Sequence, residues 1–331
     1  FQFYNLLKIP LDSLVLTLII FLYSVFYFLL FKIIKKIKFN FITLLTILSP
    51  LSFLYPVMEQ KISGRKDILL LAFVLIVIHF IKNFNFKNQK FFLFLVFLIT
   101  TFTHSGFIFY TPYLVTIFIL TNIKRNFKEL TLELFWIGSS LIFITLIILN
   151  YSSITPNSVE MLCQSIKEFL PNCGKLDYLE SLTWSLSYEK SLVNTIWTKE
   201  GYQLFYLISF ILAFGPLGYL LKISEFNEKK IKKFSPLLIF SLLILFTFPV
   251  YYIGADFGRY MFWSYLSSII IFFYFVQNKT IKVKLGVTKI NKIMILVIFL
   301  YCFTWTIPHC CNNNFKFIYK KPVENLTELL N

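Results

Sequence analysis

Apolar runs recur along this chain, separated by short polar links. They fall at about residues 11–31, 39–57, 68–81, 91–120, 131–150, 202–221, 235–253, 260–276 and 293–309. A stretch of about 20 such residues, wound as a helix, crosses the hydrocarbon core of a bilayer. Only one interval between runs is long and polar, residues 151–201. The run 91–120 is anomalous, because the links on both sides of it are basic and both its ends therefore belong on one side. Its thirty residues span about 45 Å as helix, whereas two full crossings need about 60 Å. It reads as a helical hairpin of two short or re-entrant limbs with its tip near His104-Ser105-Gly106. Irregular backbone at membrane depth is tolerated only where protein or a wet cavity surrounds it, so the tip is expected to line a cavity. The pattern predicts an all-α polytopic integral membrane protein with about ten transmembrane or re-entrant helices, a GT-C-like bundle being one such architecture. Residues 1–331 then form one transmembrane domain, with 151–201 as an extracytoplasmic loop.

Composition agrees: 57% of residues are hydrophobic and 15% charged, against about 45–50% and about 25% in soluble domains. The net charge of +16 would suggest nucleic acid in a soluble protein, but its distribution suggests membrane topology instead. The links 32–38, 82–90, 124–128, 222–233 and 277–292 hold 20 of the 32 Lys and Arg residues. Cytoplasmic loops carry the basic excess, so these links are assigned to the inside. Residues 58–67, 151–201, 254–259 and the C-terminal tail fall outside. No nucleic-acid partner is expected. The first residue is Phe, which suggests that an N-terminal piece is missing, and there is neither an internal repeat nor a signal-peptide pattern.

Scarcity singles out the chemistry. The chain has 29 Lys but three Arg, at 65, 125 and 259, so an Arg is expected where a planar, bidentate grip is needed. Arg125 lies in a basic link and reads as a topogenic charge. Arg259 follows Asp256 by three residues, which puts the two on one face of a helix; Asp256 either orients Arg259 or acts as a base. Arg65 sits in Lys61-Ile62-Ser63-Gly64-Arg65-Lys66-Asp67, ahead of an apolar run, and with Lys61 and Lys66 forms a cationic spot suited to a diphosphate. His104, at the hairpin tip, is either a proton-transfer group or a structural histidine, whereas His79 reads as structural. Cys163 and Cys173, ten apart in the outer loop, are candidates for a disulfide, and Cys302 for a packing residue. His309 with Cys310 and Cys311 has poor spacing for a metal. Trp184, Trp197, Tyr178, Tyr188 and Tyr202 suit either sugar stacking or the membrane interface. No Gly-rich phosphate loop, zinc motif or nucleophile elbow occurs, so no cofactor or metal is expected.

These residues resemble a family. Ser63-Gly64-Arg65 heading an apolar helix, then Thr103-His104-Ser105-Gly106 in a hairpin, then Asp256-x-x-Arg259, is similar to the pattern of the EpsG-like and Wzy-type polysaccharide (O-antigen) polymerases. The likeness covers about residues 50–120 and 245–275; the family's N-terminal acidic and aromatic motif is not visible. The resemblance implies a metal-independent glycosyltransferase of the bacterial inner membrane. Its substrate would be an undecaprenyl-diphosphate-linked oligosaccharide, transferred at the periplasmic face onto the non-reducing end of another lipid-linked repeat unit. Arg65 and Arg259, with Lys61 and Lys66, would hold the diphosphate, and His104 or Asp256 would deprotonate the acceptor. Partners would be membrane lipid and a chain-length regulator or other polysaccharide-assembly proteins. Two alternatives stand beside it: a GT-C-type transferase using a polyprenyl-phosphate sugar, for which Glu59 and Asp67 are weak acidic candidates, and a flippase for lipid-linked sugar.

Overall fold

The computed structural model describes residues 11–37, 39–53, 67–151, 160–161, 163–164, 186–198, 202–229, 231–284 and 290–307. The chain is mostly helical. In order come α1 (Leu11–Ile34), α2 (Phe41–Ile47), α3 (Pro50–Phe53), α4 (Asp67–Phe80), α5 (Phe86–Thr103), a 3-10 segment (Ser105–Tyr110) and α6 (Thr111–Thr121). There follow α7 (Phe127–Tyr151), α8 (Leu186–Thr198), α9 (Tyr202–Lys222), β1 (Ser224–Phe226), α10 (Pro236–Ile253), α11 (Phe257–Gln277), β2 (Ile281–Val283) and α12 (Lys292–Phe303).

Five described helices are long and apolar enough to cross a membrane: α1, α7, α9, α10 and α11. Shorter apolar helices lie within Asn88–Thr103, Gly106–Thr121 and Lys292–Phe303. Two predicted crossings come out differently from full-length spans. The run 39–57 breaks at Ser49 into α2 and α3, because Pro50 has no N–H to continue the ladder and starts a new helix instead. The run 68–81 becomes α4, 14 residues or about 21 Å long, and much of its surface is buried by neighbouring protein. The hairpin forms as expected: α5 ends at Thr103, His104 is extended (φ −155°, ψ 112°), and the 3-10 turn leads into α6.

Helix α11 is the axis of the bundle. Residues 257–275 are buried on every side, and α1, α3, α4, α6, α9 and α10 all pack against it. A helix apolar around its whole circumference belongs at the centre of such a bundle. Small residues let its neighbours close in. Ser264, Ser267 and Ser268 are buried. The Tyr113 hydroxyl lies 3.3 Å from Ser268 Oγ and donates to the Ser264 carbonyl at 3.4 Å, while Thr247 Oγ1 lies 3.2 Å from Ser264 Oγ. Hydroxyls that bridge helices in this way, together with small side chains, hold apolar bundles together where hydrophobic burial offers little preference.

The basic links gather at one end. β1 pairs antiparallel with β2, with Glu225 opposite Lys282, which ties link 222–233 to link 277–292. Lys124 meets Glu228 at 3.3 Å, Lys284 meets Glu225 at 2.6 Å, and Lys90 meets Glu133 at 3.0 Å. Lys82 lies over the Tyr274 ring near the end of α11. Four of the five basic links are thus at the C-terminal end of α11. Its N-terminal end, 21 residues away, is about 30 Å distant, close to the thickness of a hydrocarbon core.

Overfilling this axis should be costly. Ser268→Leu is expected to destabilise the detergent-solubilised protein by about 1–3 kcal/mol, whereas Ser268→Ala, which gives up the contact with Tyr113 and a bond to the Ser264 carbonyl of its own helix, should cost about 1 kcal/mol or less. Thermal unfolding curves that coincide for both variants and the parent would contradict the packing described.

Candidate functional site

At the N-terminal end of α11 several chain breaks meet. Helix α4 begins there at Asp67, the α10–α11 turn runs through Gly254, Ala255 and Asp256, and His104 forms the break between α5 and the 3-10 segment. Arg259, in the first turn of α11, binds them together. Its Nε lies 3.4 Å from Asp67 Oδ1, its Nη1 2.7 Å from Asp256 Oδ2, and its Nη2 2.8 Å from His104 Nε2. Asp256 is the N-cap residue of α11, but its carboxylate turns to Arg259 rather than to a helix N–H. Arg259 is 8% exposed and Asp67 1%. Burying a lone charge so deeply would be prohibitive, so the guanidinium is held by carboxylates on two of its edges. Trp263 and Tyr260 present ring faces at 5.3 and 5.7 Å from its central carbon, a favourable contact for a cation.

Two N–H donors face the His104 ring. The backbone N–H of Gly106 donates to Nδ1 at 3.0 Å, and the Arg259 Nη2 group, which can only donate, lies 2.8 Å from Nε2. A neutral imidazole has one lone pair, so the tautomer decides which of the two donors it serves. Either way the ring is held from both sides and packed directly against the guanidinium. The imidazole edge also meets Trp263, with ring centroids 5.0 Å apart.

Two glycines make this geometry possible. A Cβ on Gly106 would fall 3.0 Å from His104 Cε1 and 3.1 Å from Nδ1, pushing the ring off its N–H. A Cβ on Gly254 would collide with the Tyr260 hydroxyl. Behind the cluster, Tyr110 donates to the Tyr260 carbonyl at 3.0 Å and locks the hairpin to α11.

The structure therefore brings together His104, Asp256 and Arg259, each singled out in the sequence. It adds Asp67, which the sequence offered only as a weak candidate for an alternative reading. It also adds the aromatic walls Tyr260 and Trp263, which in sequence look like any other apolar-run residue. Arg65, Lys61, Lys66 and Glu59 lie outside the described residues, as do Trp184, Tyr178, His309, Cys310 and Cys311. Cys163 is disulfide-bonded; Cys173, its expected partner, is outside the described residues. His79 has the structural role anticipated, with Nδ1 2.9 Å from the Leu75 carbonyl, and Cys302 is buried against the Leu48 carbonyl. Among the described residues no group of three or more His, Cys, Asp or Glu is arranged to hold a metal ion.

The Gly254–Tyr260 contact offers a direct check. Gly254→Ala should lower stability by about 1–3 kcal/mol through overpacking. Tyr260→Phe, which removes the colliding oxygen, should recover most of that loss in the double variant. Strictly additive losses in thermal unfolding would show that the two positions are not in contact.

No protein-family model matches the chain, and no curated protein or solved structure shows a significant match to it.

Proposed function

We propose that the chain is a glycosyltransferase of the polysaccharide-polymerase type, acting on a glycan carried by a polyprenyl diphosphate. The reading begins with one observation: a nearly buried Arg259 guanidinium is fixed in place by Asp67, Asp256 and, from 155 residues away, His104. A preorganised cation of this kind suits an anionic oxygen, and a low-dielectric site makes it most effective where charge develops. The resemblance of the His104 and Asp256-x-x-Arg259 elements to the polymerase pattern supplies the chemical class. The distribution of Lys and Arg supplies the orientation: with the basic end in the cytoplasm, the cluster lies near the outer leaflet of a bacterial inner membrane. About ten membrane segments, counting the short helices, complete the architecture in this reading.

The step is a substitution at the anomeric carbon. The bond from that carbon to the diphosphate oxygen breaks, and its electron pair leaves with the polyprenyl diphosphate. Arg259 holds the leaving oxygens, with His104 packed beside it. The acceptor hydroxyl of another lipid-linked repeat unit forms the new bond, and its proton passes to Asp256, whose side chain is 22% exposed. Asp67, fully buried, keeps the guanidinium in place. Arg65, Lys61 and Lys66 add positive charge in the adjoining segment of sequence. The polyprenyl-phosphate alternative differs in the charge of the leaving group, and a flippase would release the substrate unchanged.

Binding and turnover separate these readings. In nanodiscs, the protein should bind undecaprenyl diphosphate more tightly than undecaprenyl monophosphate and should not hold undecaprenol. Arg259→Ala and Arg259→Lys should each weaken the diphosphate by at least about tenfold, since a lysine cannot span Asp67, Asp256 and the anion together. Asp256→Asn, which keeps a side-chain oxygen beside Arg259, should slow polymer formation by about 10²–10⁴-fold, the usual contribution of a positioned base, and by clearly more than it weakens carrier binding. Equal affinity for all three lipids would rule out the diphosphate site. Cells lacking the gene should carry single repeat units on their surface in place of a ladder; complete loss of surface sugar would favour the flippase.

A further inference from the structure

A cavity of about 410 Å³ opens beside the charged cluster, lined by Lys190, Val193, Asn194, Trp197 and Tyr252. Four of these residues lie on one face of α8, at spacings of three and four, so a single helical stripe forms the wall. Tyr252, near the end of α10, forms the opposite side and is 77% exposed. Val193 is buried and makes the floor, while Asn194 and Lys190 are exposed at the rim. The helix is held firmly. Gln203 at the start of α9 donates to the Trp197 carbonyl at 2.9 Å. The Trp197 ring lies 5.2 Å from that of Phe257, two residues before Arg259. The cavity thus shares a wall with the first turn of α11.

Its chemistry is mixed in a specific way. Two aromatic rings offer apolar faces, an amide offers both a donor and an acceptor, and an ammonium offers three donors. A lipid chain would leave the amide and ammonium without use, and a bare phosphate would leave the rings without use. A pyranose ring has an apolar face of axial hydrogens and a rim of hydroxyls, and it uses all of them. The volume lies within the range of small-ligand sites.

We infer that this cavity binds one pyranose residue, its flat face on Trp197 and Tyr252 and its hydroxyls on Asn194 and Lys190. Because Trp197 packs on Phe257, the residue after Asp256, that pyranose is assigned to the acceptor chain, whose terminal hydroxyl must reach the base. The assignment to the acceptor rests on the glycan-transfer reading; the binding of a pyranose does not.

The test uses the full chain in nanodiscs and saturation-transfer NMR with four probes: the methyl pyranosides of glucose, galactose, N-acetylglucosamine and glucuronic acid. At least one should receive saturation, with its ring hydrogens strongest. Tyr252→Ala and Asn194→Leu alter exposed side chains and leave the fold in place. Each should weaken that probe by about tenfold, the worth of a stacking contact or a well-made hydrogen bond, while undecaprenyl diphosphate binds as in the parent. Saturation of no pyranoside, or saturation unaffected by both variants, would overturn the inference. Pyranoside binding that survives when the parent fails to bind the carrier would uphold the sugar site and reject the diphosphate reading, so the two fail separately.

Discussion

A guanidinium buried among membrane helices is the constraint on which the rest of this structure depends. Arg259 is almost wholly enclosed, and removing one charged partner from such a group typically costs about 3–5 kcal/mol. The carboxylates of Asp67 and Asp256 therefore have to reach it from two separate helix starts. Helix α4 must begin where it does, and the α10–α11 turn must bend where it does. The first turn of the centrally buried α11 presents Arg259 to α4 and to the hairpin at once.

That constraint also sets the chemistry. Carboxylates on the Nε and Nη1 edges fix the orientation of the fork, and its Nη2 group then faces His104. Gly106 donates to Nδ1 while Arg259 meets Nε2, so the histidine is held at both ring nitrogens. The site gains its directionality from backbone features, an N–H and two close approaches at glycine, more than from the count of its charges. This is why single methyl groups at Gly106 or Gly254 matter: preorganised donors lose their effect when displaced by a fraction of an ångström.

Much of the architecture could be read from the chain itself. The apolar rhythm separates the helices, the basic links foretell which ends lie together, and the break at His104 falls where the length of the run 91–120 left too little helix for two crossings. Asp256 and Arg259 could be paired because they are three apart on one helix start, and scarcity marked Arg259 as unusual. The finer features were not legible. The run 68–81 has the hydropathy of a span but is only 14 residues of helix and lies among its neighbours, since hydropathy does not distinguish burial in lipid from burial in protein. Likewise Trp263 and Tyr260 look like other aromatic residues in a sequence with 42 Phe and 19 Tyr, and only contact with Arg259 sets them apart.

Sequence by itself determined the class, the helical segments, the grouping of basic links and the identity of the rare polar residues, because hydropathy, charge and helical spacing act over a few neighbouring positions. Tertiary structure alone decided that Asp67, His104 and Arg259 meet, which edge of the guanidinium each partner takes, and that α8 closes a cavity against Tyr252. Those are contacts between positions far apart in the chain. They arise only when helices with nearly interchangeable apolar surfaces choose one packing, and it is the few buried hydroxyls, carboxylates and close-approach glycines that make one packing better than the others.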